Sequence, residues 1–270
     1  MPSSSTQICA AINVSPESFH PGSVAAGSDA LTAAVQRAVA DGAAMIDIGA
    51  MSTAPYKEAW IDEAEEVRRA QQALTTARAA APHAVLSIDT QRAAVAKAAI
   101  ERGATIINDI SGLRADPAMA ALAAASGARV ILMANDSPDL EESGQSPVDV
   151  VCRVLLDAVD RALAAGLRRD QLIVDPGIGF FRKRSIPWHQ WDCAILRDVS
   201  RIRALGFPVM VAASRKSFLG HILQQPNPAD RLAGSLAVAA LCHRERIDWL
   251  RVHDVAETRD VIATLDAIDQ

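Results

Sequence analysis

Polar side chains follow short apolar runs at several places in this sequence. The clearest case is Leu172–Phe180, where three apolar residues lead into Asp175 and a Pro-Gly pair then ends the predicted strand. Because a carboxylate presents two acceptor oxygens side by side, Asp175 could accept hydrogen bonds from a neutral, donor-rich heterocycle. One strand-end aspartate is more often a helix N-cap, but a repeated pattern indicates a shared site. Three other apolar runs end in the same way, at Asp47, Asp89 and Asn108.

Two later strand ends carry cations. The run that begins at Val209 ends in a serine, an arginine and Lys216, and adjacent cations at a strand end are costly unless an anion or an acceptor-rich ligand meets them. We therefore expect a ligand role for Lys216, the alternative being that one cation points to solvent. In the last strand Arg251 and His253 alternate with apolar residues and share one face. They match the place where barrels commonly hold phosphate; a surface ion pair with Asp254 is the alternative.

Two loops near the N-terminus carry further candidates. Asn13 ends the first strand, and its amide oxygen could ligate a hard cation or receive a proton from a substrate, although a plain turn is as good an interpretation of this stretch alone. Ser52 and Thr53 could bind a phosphate oxygen through hydroxyl and backbone donors. Helix capping is the alternative there, but the next predicted helix begins several residues later.

The loop after Asp175 combines aromatic and basic residues. Phe180, Trp188 and three consecutive cations, Arg182 to Arg184, could hold an aromatic, phosphorylated second substrate. A solvated basic loop with Trp188 packed down is the alternative. Residues 134–147 form a polar loop without periodicity, for which we predict no chemistry.

The elements that must position these residues alternate along the chain. Apolar strand-like runs centre near residues 11, 47, 87, 107, 131, 173, 210 and 250. Amphipathic, alanine-rich segments are predicted at 29–41, 61–80, 93–102, 117–126, 148–165, 190–205, 230–244 and 256–268. Eight alternating strands and helices predict one (β/α)8 TIM barrel spanning residues 1–270, whose strand ends converge on one mouth. The first strand is not followed by the glycine pattern of a dinucleotide-binding fold.

Composition narrows the functional classes. A net charge of -5 without a basic stripe argues against nucleic acid as a partner. The first residues lack the features of a signal peptide and no apolar run reaches the length of a membrane span, so we expect a cytoplasmic protein. The four cysteines are far apart in sequence and are expected to be buried free thiols, the alternative being a metal or redox role.

These motifs, in this order, resemble the dihydropteroate synthase family of pterin-binding barrels. The matching stretches lie between residues 12 and 254. They are Ile-Asn-Val-Ser-Pro-Glu-Ser-Phe, Gly-Ala-Ala-Met-Ile-Asp-Ile-Gly, Ser-Thr-Ala-Pro, Ser-Ile-Asp-Thr, Ile-Ile-Asn-Asp-Ile, Asp-Pro-Gly-Ile-Gly-Phe, Ser-Arg-Lys-Ser and Arg-Val-His-Asp.

The resemblance implies a transferase that joins 6-hydroxymethyl-7,8-dihydropterin diphosphate to an arylamine and releases pyrophosphate with the help of Mg²⁺. The pterin ring would be held by Asp89, Asn108, Asp175 and Lys216. The diphosphate would be bound by Asn13, Thr53, Arg251 and His253, with Asn13 also near Mg²⁺. The arylamine would contact Ser214 and Phe180. The catalytic residues would be Asp89, Lys216, Arg251 and His253. Related barrels are often dimers, so a homodimer is expected.

Departures from the family pattern leave the second substrate open. Members that use p-aminobenzoate usually have an acid and an arginine where this chain has Met51 and Ala54, and a Met-His pair where it has Met133 and Ala134. Glu17 replaces an aspartate. The arylamine is either p-aminobenzoate or a ribofuranosyl-aminobenzene phosphate of methanopterin-type synthesis. Two other hypotheses are a methyltetrahydrofolate-corrinoid methyltransferase and a non-catalytic pterin-binding barrel.

Overall fold

Eight parallel strands form a single sheet that closes on itself. The computed structural model describes residues 6–15, 25, 27–51, 61–137, 140–142 and 144–269. The strands are β1 (Gln7–Asn13), β2 (Met45–Gly49), β3 (Val85–Asp89), β4 (Ile106–Asp109), β5 (Arg129–Met133), β6 (Leu172–Asp175), β7 (Met210–Val211) and β8 (Trp249–Val252). They are ordered β6-β5-β4-β3-β2-β1-β8-β7, and a parallel bridge between Val174 and Val209 joins the two outer strands. The predicted (β/α)8 barrel is therefore confirmed, with each strand where the sequence placed it.

Helices connect successive strands on the outside of the barrel. The α-helices in the described part of the chain are α1 (Ser28–Ala40), α2 (Glu63–Ala80), α3 (Ala93–Ile100), α4 (Ala118–Ser126), α5 (Pro147–Ala164), α6 (Trp188–Arg197), α7 (Val199–Arg203), α8 (Ser217–Leu223), α9 (Leu232–Arg244) and α10 (Val255–Ile268). Among the described residues, short 3₁₀ helices also lie at Arg169–Gln171 and Pro228–Arg231. None of the helices in the ranges given above is long and apolar enough to cross a bilayer.

Two helical predictions need correction. The helix predicted for residues 190–205 is divided into α6 and α7 at Asp198, whose φ of −109° and ψ of 24° lie outside the helical range. The short helix α8 was not predicted. It contains Gly220, and glycine is a weak helix former. A side chain at Gly220 would come within 2.6 Å of the Arg231 guanidinium and the Gln225 carbonyl. Packing of α8 against the chain that follows it therefore requires glycine at this position.

The interior of the barrel has an apolar floor under a polar mouth. Because side chains alternate along a strand, every second residue points inward. The lower inward positions form one buried cluster of Cys9, Met45, Ile106, Ile131, Ile173, Met210 and Trp249. Two residues further along the strands, the inward positions become polar: Asp47 follows Met45, Asn108 follows Ile106, and Asp175 follows Ile173. The polar residues singled out in the sequence thus lie on a layer that excludes water from below.

The cysteines are free thiols, as predicted, but only two of the four are buried as expected. Cys9 and Cys242 are buried, while Cys152 and Cys193 are partly exposed. Burial raises the pKa of the Cys9 thiol well above its ordinary value, and the nearby carboxylate of Asp47 adds to the shift. Cys9 therefore behaves as a neutral, apolar member of the floor rather than as a nucleophile.

Candidate active site

One guanidinium joins the strand ends on one side of the mouth. Arg251, on β8, donates from Nε to Asp47 Oδ2 at 2.6 Å and from Nη2 to Asp89 Oδ2 at 3.1 Å. Asn108, on β4, donates from its amide nitrogen to the same Asp47 oxygen at 3.0 Å. Parallel pairing sets Asp89 opposite Asn108 on the neighbouring strand. Residues separated by up to 204 positions in sequence therefore form one hydrogen-bonded network.

This network carries more carboxylates than cations. Asp47 is completely buried, and Asp89 nearly so. Burial opposes the charge of Arg251, but the carboxylates of Asp47 and Asp89 outweigh it and raise the arginine pKa above its ordinary value. Burial is also the main cause of a raised pKa at Asp89, which Arg251 only partly offsets. Asp47 Oδ1 and Asp89 Oδ1 are buried without a hydrogen-bond partner among the described residues, so both retain acceptor capacity.

Asp175 and Lys216 form the opposite side of the mouth. Asp175 Oδ1 accepts a hydrogen bond from the backbone nitrogen of Gly177 at 2.7 Å, which leaves its second oxygen available to a ligand. Burial raises the pKa of Asp175, while the charge of Lys216 works against that shift. The turn requires glycine, because a Cβ at Gly177 would lie 1.9 Å from the Ala134 carbonyl oxygen and its φ is +69°.

The Lys216 side chain lies across the same turn. Its Nζ donates to the backbone carbonyl of Ile178 and sits 4.7 Å from the centroid of the Phe180 ring. Burial lowers the pKa of Lys216 to about 8, with Asp175 and Asp192 opposing the shift. Lys216 is therefore a cationic donor near neutral pH. Its neighbour Arg215 turns away, and neither of the two cations points to solvent.

Arg215 instead clamps the ends of β7 and β8. Its Nε and Nη2 donate to the two carboxylate oxygens of Asp254 at 2.8 and 2.6 Å, and Nη1 donates to the carbonyls of Pro228 and Ala229. Asp254 is thus the partner of Arg215 and not of Arg251 or His253, so the alternative of a surface ion pair for those two residues is wrong. Arg215 has a positive φ of 56°, and its two hydrogen bonds to Asp254 help to stabilise this backbone conformation.

His253 and Ser214 are neighbours across β7 and β8. The Ser214 hydroxyl accepts from the His253 backbone nitrogen at 3.3 Å and lies 3.2 Å from the ring Nδ1. Arg251 points into the mouth, while Leu250 and Val252 belong to the outer apolar core, as the alternation predicted. Ser214, which the family pattern placed with the arylamine, here orients the imidazole.

Asn13 is the residue proposed to be near Mg²⁺. Its side-chain oxygen lies against Gly49, where a Cβ would approach it to 2.7 Å, so glycine on β2 makes room for it. No group of three or more His, Cys, Asp or Glu side chains within the described ranges could form a metal cage. One neutral oxygen fits a Mg²⁺ ion that is bound mainly through substrate phosphates. Thr53, the other loop residue assigned to the diphosphate, lies outside the described residues.

The basic loop is less available for a ligand than the sequence suggested. Arg184 forms ion pairs with Asp136 and, at 3.7 Å, with Glu142, so the polar loop of residues 134–147 neutralises it. Arg182 donates to the Ser217 hydroxyl at 2.7 Å and lies 4.3 Å from the Trp188 ring centroid. Of the three basic residues in this loop, Arg184 is therefore already paired with acidic residues of the neighbouring loop.

Sequence reasoning assigned no role to Asp47 and Asp192, which are buried carboxylates beside the mouth. Asp47 was noted as a strand end, but its place as the shared partner of Arg251 and Asn108 depends on strand register. Asp192, on α6, is also completely buried and accepts from the Gly179 backbone nitrogen at 2.8 Å. A charged residue on the apolar face of a helix is the only sequence signal for Asp192.

The fold and the site define a class of protein. It is a (β/α)8 barrel whose C-terminal mouth, where barrel active sites lie, presents buried acceptors on one wall and a cationic donor on the other. Such a mouth suits a flat, polar heterocycle that carries both donors and acceptors.

Comparison with known proteins identifies the family. A family model described as pterin binding enzyme matches residues 9–253. The dihydropteroate synthase of Mycobacterium leprae is 35% identical over 271 residues, covering 97% of this chain and 93% of that protein. A Mycobacterium tuberculosis protein named inactive dihydropteroate synthase 2 is 34% identical and covers 97% and 82%. The dihydropteroate synthase of Xanthomonas albilineans, solved in complex with 7,8-dihydropteroate, has a TM-score of 0.85 at 29% identity and covers 100% and 95%. The chain belongs to the pterin-binding family of dihydropteroate synthase-like transferases.

Proposed function

We propose that this enzyme condenses 6-hydroxymethyl-7,8-dihydropterin diphosphate with an arylamine and releases pyrophosphate. The observation that carries the proposal is the arrangement of Asp175 and Lys216 on one side of the mouth with the Asp47–Arg251–Asp89 network on the other. A reduced pterin ring is flat, with donors on its amino group and N3 and acceptors on its carbonyl and ring nitrogens. Both kinds of partner are present in one buried place.

The pterin ring would be held by charge-assisted hydrogen bonds. Asp175 would accept from the 2-amino group and N3, and Lys216 would donate to ring acceptors. Asn108 and Asp89 would contact the same ring from β4 and β3. Since the floor beneath is apolar, water would be excluded and these hydrogen bonds would be stronger than in solvent.

Loss of the diphosphate is the difficult step, because it leaves an electron-poor exocyclic carbon and concentrates charge on the leaving group. Arg251 donates to two carboxylates through Nε and Nη2, and its Nη1 would donate to a phosphate oxygen beside His253. Mg²⁺ held by the substrate phosphates, with Asn13 close by, would supply further positive charge. Asp89 and Asp175 would stabilise the positive charge that develops on the pterin, and no covalent enzyme nucleophile is needed.

We propose p-aminobenzoate as the arylamine. An amine bearing a ribofuranosyl phosphate would need extra cations, and the ion pairing of Arg184 with Asp136 removes one that the sequence had offered. Phe180, beside Lys216, would provide an aromatic contact for the amine. The methanopterin-type substrate remains the alternative outcome of the experiment.

The second candidate function is a non-catalytic pterin-binding barrel. It is favoured by the relatives named inactive dihydropteroate synthase 2 and by the departures at Met51, Ala54 and Ala134. Met51 and Ala134 are buried apolar residues, and Ala54 lies outside the described residues. A corrinoid-dependent methyl transfer is less well supported, since no diphosphate would leave and Arg251 and His253 would have no task.

We further propose a cytoplasmic homodimer. An apolar face on α9 could contribute to the dimer contact: Leu236 and Val238 are half-buried, and Leu241 is 39% exposed. Light scattering on the purified protein would report the mass of one chain or of two.

The function is tested by mixing purified protein, Mg²⁺, the pterin diphosphate and each arylamine, and by following pyrophosphate release. Release with p-aminobenzoate is expected. Release only with the ribofuranosyl phosphate amine would support the methanopterin branch. Calorimetric binding of the pterin without any pyrophosphate release would support the non-catalytic barrel. The absence of both binding and release would refute the proposal.

A further inference from the structure

A buried carboxylate on α6 stands directly behind the turn that carries Lys216. Asp192 is completely buried, and its Oδ1 accepts from the backbone nitrogen of Gly179 at 2.8 Å. Its Oδ2 is also buried, with no hydrogen-bond partner among the described residues. A buried, ionisable side chain with one oxygen unsatisfied is costly to keep, so its role needs an explanation.

Gly179 connects this carboxylate to Lys216. A Cβ built on Gly179 would lie 3.1 Å from Lys216 Cδ and 3.8 Å from Nζ, so the lysine stem runs along the bare backbone of this residue. The carbonyl of the preceding residue, Ile178, accepts from Lys216 Nζ. Asp192 therefore contacts the Gly179 backbone on the outer side of the turn, and Lys216 packs against the same backbone on the inner side. The hydrogen bond from Gly179 to Asp192 holds that backbone in place for the lysine.

The charge of Asp192 also acts on Lys216. Four segments contribute the charged groups that face Lys216. They are Asp175 from β6, Asp192 from α6, Arg251 from β8 and Arg182 from the loop between β6 and α6. The two carboxylates favour the protonated lysine and the two guanidinium groups disfavour it. Burial raises the pKa of Asp192 to about 6, with Gly179, Lys216 and Arg182 opposing the shift. The carboxylate is therefore ionised at neutral pH, when Lys216 must carry a proton.

We propose that Asp192 is a positioning residue for Lys216, which holds the Gly179 turn against the lysine stem and supplies the second carboxylate that keeps the ammonium group charged. The inference deepens the proposed function, because a protonated Lys216 is the donor that would bind the pterin ring. Asp192 itself would not touch the substrate. The alternative is that Asp192 merely anchors the first turn of α6.

The test uses substitutions that separate charge from hydrogen bonding. Asp192→Asn keeps an oxygen acceptor for Gly179 and removes the charge, whereas Asp192→Ala removes both. Asp198→Asn removes a carboxylate from the far end of the same helix and serves as the matched control. In each protein the ionisation of Lys216 is measured by brief acetylation across a pH series, quantified by mass spectrometry and normalised to the exposed Lys97.

The expected result for Asp192→Asn is a downward shift of the Lys216 midpoint by about one pH unit, the size typical of losing one nearby opposite charge. The Lys216 midpoint in the Asp198→Asn protein should match that of the wild type. If pyrophosphate is released, the alkaline limb of that activity should move by the same amount in Asp192→Asn. At about pH 6.5, where Lys216 is protonated in both variants, Asp192→Ala should be about tenfold slower than Asp192→Asn, because only the alanine loses the hydrogen bond to Gly179.

An unchanged Lys216 midpoint in Asp192→Asn would overturn the proposal, as would equal shifts in the Asp192→Asn and Asp198→Asn proteins. Equal activity of the asparagine and alanine variants at low pH would overturn the positioning role of the hydrogen bond. Acetylation does not depend on turnover. A wild-type protein that releases no pyrophosphate would therefore refute the proposed function while the titration of Lys216 still decided the role of Asp192.

Discussion

Removal of the Arg251 guanidinium is expected to destabilise the barrel in a pH-dependent way. In Arg251→Met the buried carboxylates of Asp47 and Asp89 lose the guanidinium that bridges them at 2.6 and 3.1 Å. Since burial already raises the pKa of Asp89, that group takes up a proton readily, and the uncompensated charge is that of Asp47. Asp47 would keep its hydrogen bond from the Asn108 amide but would have lost the guanidinium that offsets its charge. A fully buried carboxylate with no cation beside it becomes protonated rather than staying charged.

The size of this effect follows from the cost of protonation. To protonate an aspartate of ordinary pKa, about 3.9, costs about 4 kcal/mol at pH 7 and about 1.5 kcal/mol at pH 5, because each pKa unit corresponds to about 1.36 kcal/mol. The higher figure agrees with the roughly 3–5 kcal/mol usually lost when one partner of a buried pair is removed. Arg251→Met should therefore lower the free energy of unfolding by about 4 kcal/mol at pH 7 and by about 1.5 kcal/mol at pH 5.

Urea unfolding followed by circular dichroism at the two pH values measures this directly. The double substitution Arg251→Met with Asp47→Asn should recover most of the loss at pH 7. Arg259→Met, which removes an exposed pair with Asp260, is the control and should change stability by less than about 0.5 kcal/mol at either pH. A loss in Arg251→Met that is the same at both pH values, or no recovery in the double variant, would refute this account of the network.

Three further predictions concern the other wall of the mouth. Because the pKa of Lys216 is lowered to about 8, pyrophosphate release should fall as pH rises through about 8, and a profile still rising at pH 9 would contradict the donor role of Lys216. Gly177→Ala should cost about 3 kcal/mol or more in urea unfolding, because its Cβ would meet the Ala134 carbonyl oxygen at 1.9 Å. Gly144→Ala, with a similar φ and open space, should cost only about 1 kcal/mol, and equal losses would exclude the clash as the cause. The pKa of Asp192 is raised from 3.8 to about 6 in the folded protein. The wild type should therefore lose about 2.5 kcal/mol of stability relative to Asp192→Asn as pH rises from about 4 to about 7. A stability difference between the two proteins that stays constant over this range would show that the Asp192 pKa is not raised.

The strand ends could be predicted from the sequence because a parallel barrel brings all of them to one mouth. Asp89, Asn108 and Asp175 each close an apolar run, and that local pattern is enough to place them there. The pairing inside the mouth could not be predicted in the same way. Asp47 meets Arg251 because β1 lies between β2 and β8 in the barrel. The register between these strands cannot be deduced from their individual sequences.

Loop and helix contributions were harder still, since they depend on contacts between distant segments. Arg184 has the sequence context of a free basic residue, and only the folded structure brings Asp136 to it. Asp192 lies among apolar residues of α6 and reaches Gly179 across 13 positions. The two-residue strand β7 was nevertheless predicted, because the apolar run that precedes Ser214 is distinctive.

The most direct test of the central claim is the calorimetric affinity of the pterin diphosphate, with Mg²⁺, for the wild type and for Asp175→Asn. The substitution keeps the size of the side chain but replaces one acceptor with a donor that would face the amino group and N3 of the pterin. The wild type should bind the pterin diphosphate, and the affinity of the variant should be about a hundredfold lower, as expected for losing two charge-assisted hydrogen bonds. Equal affinities, or no binding to the wild type, would contradict it.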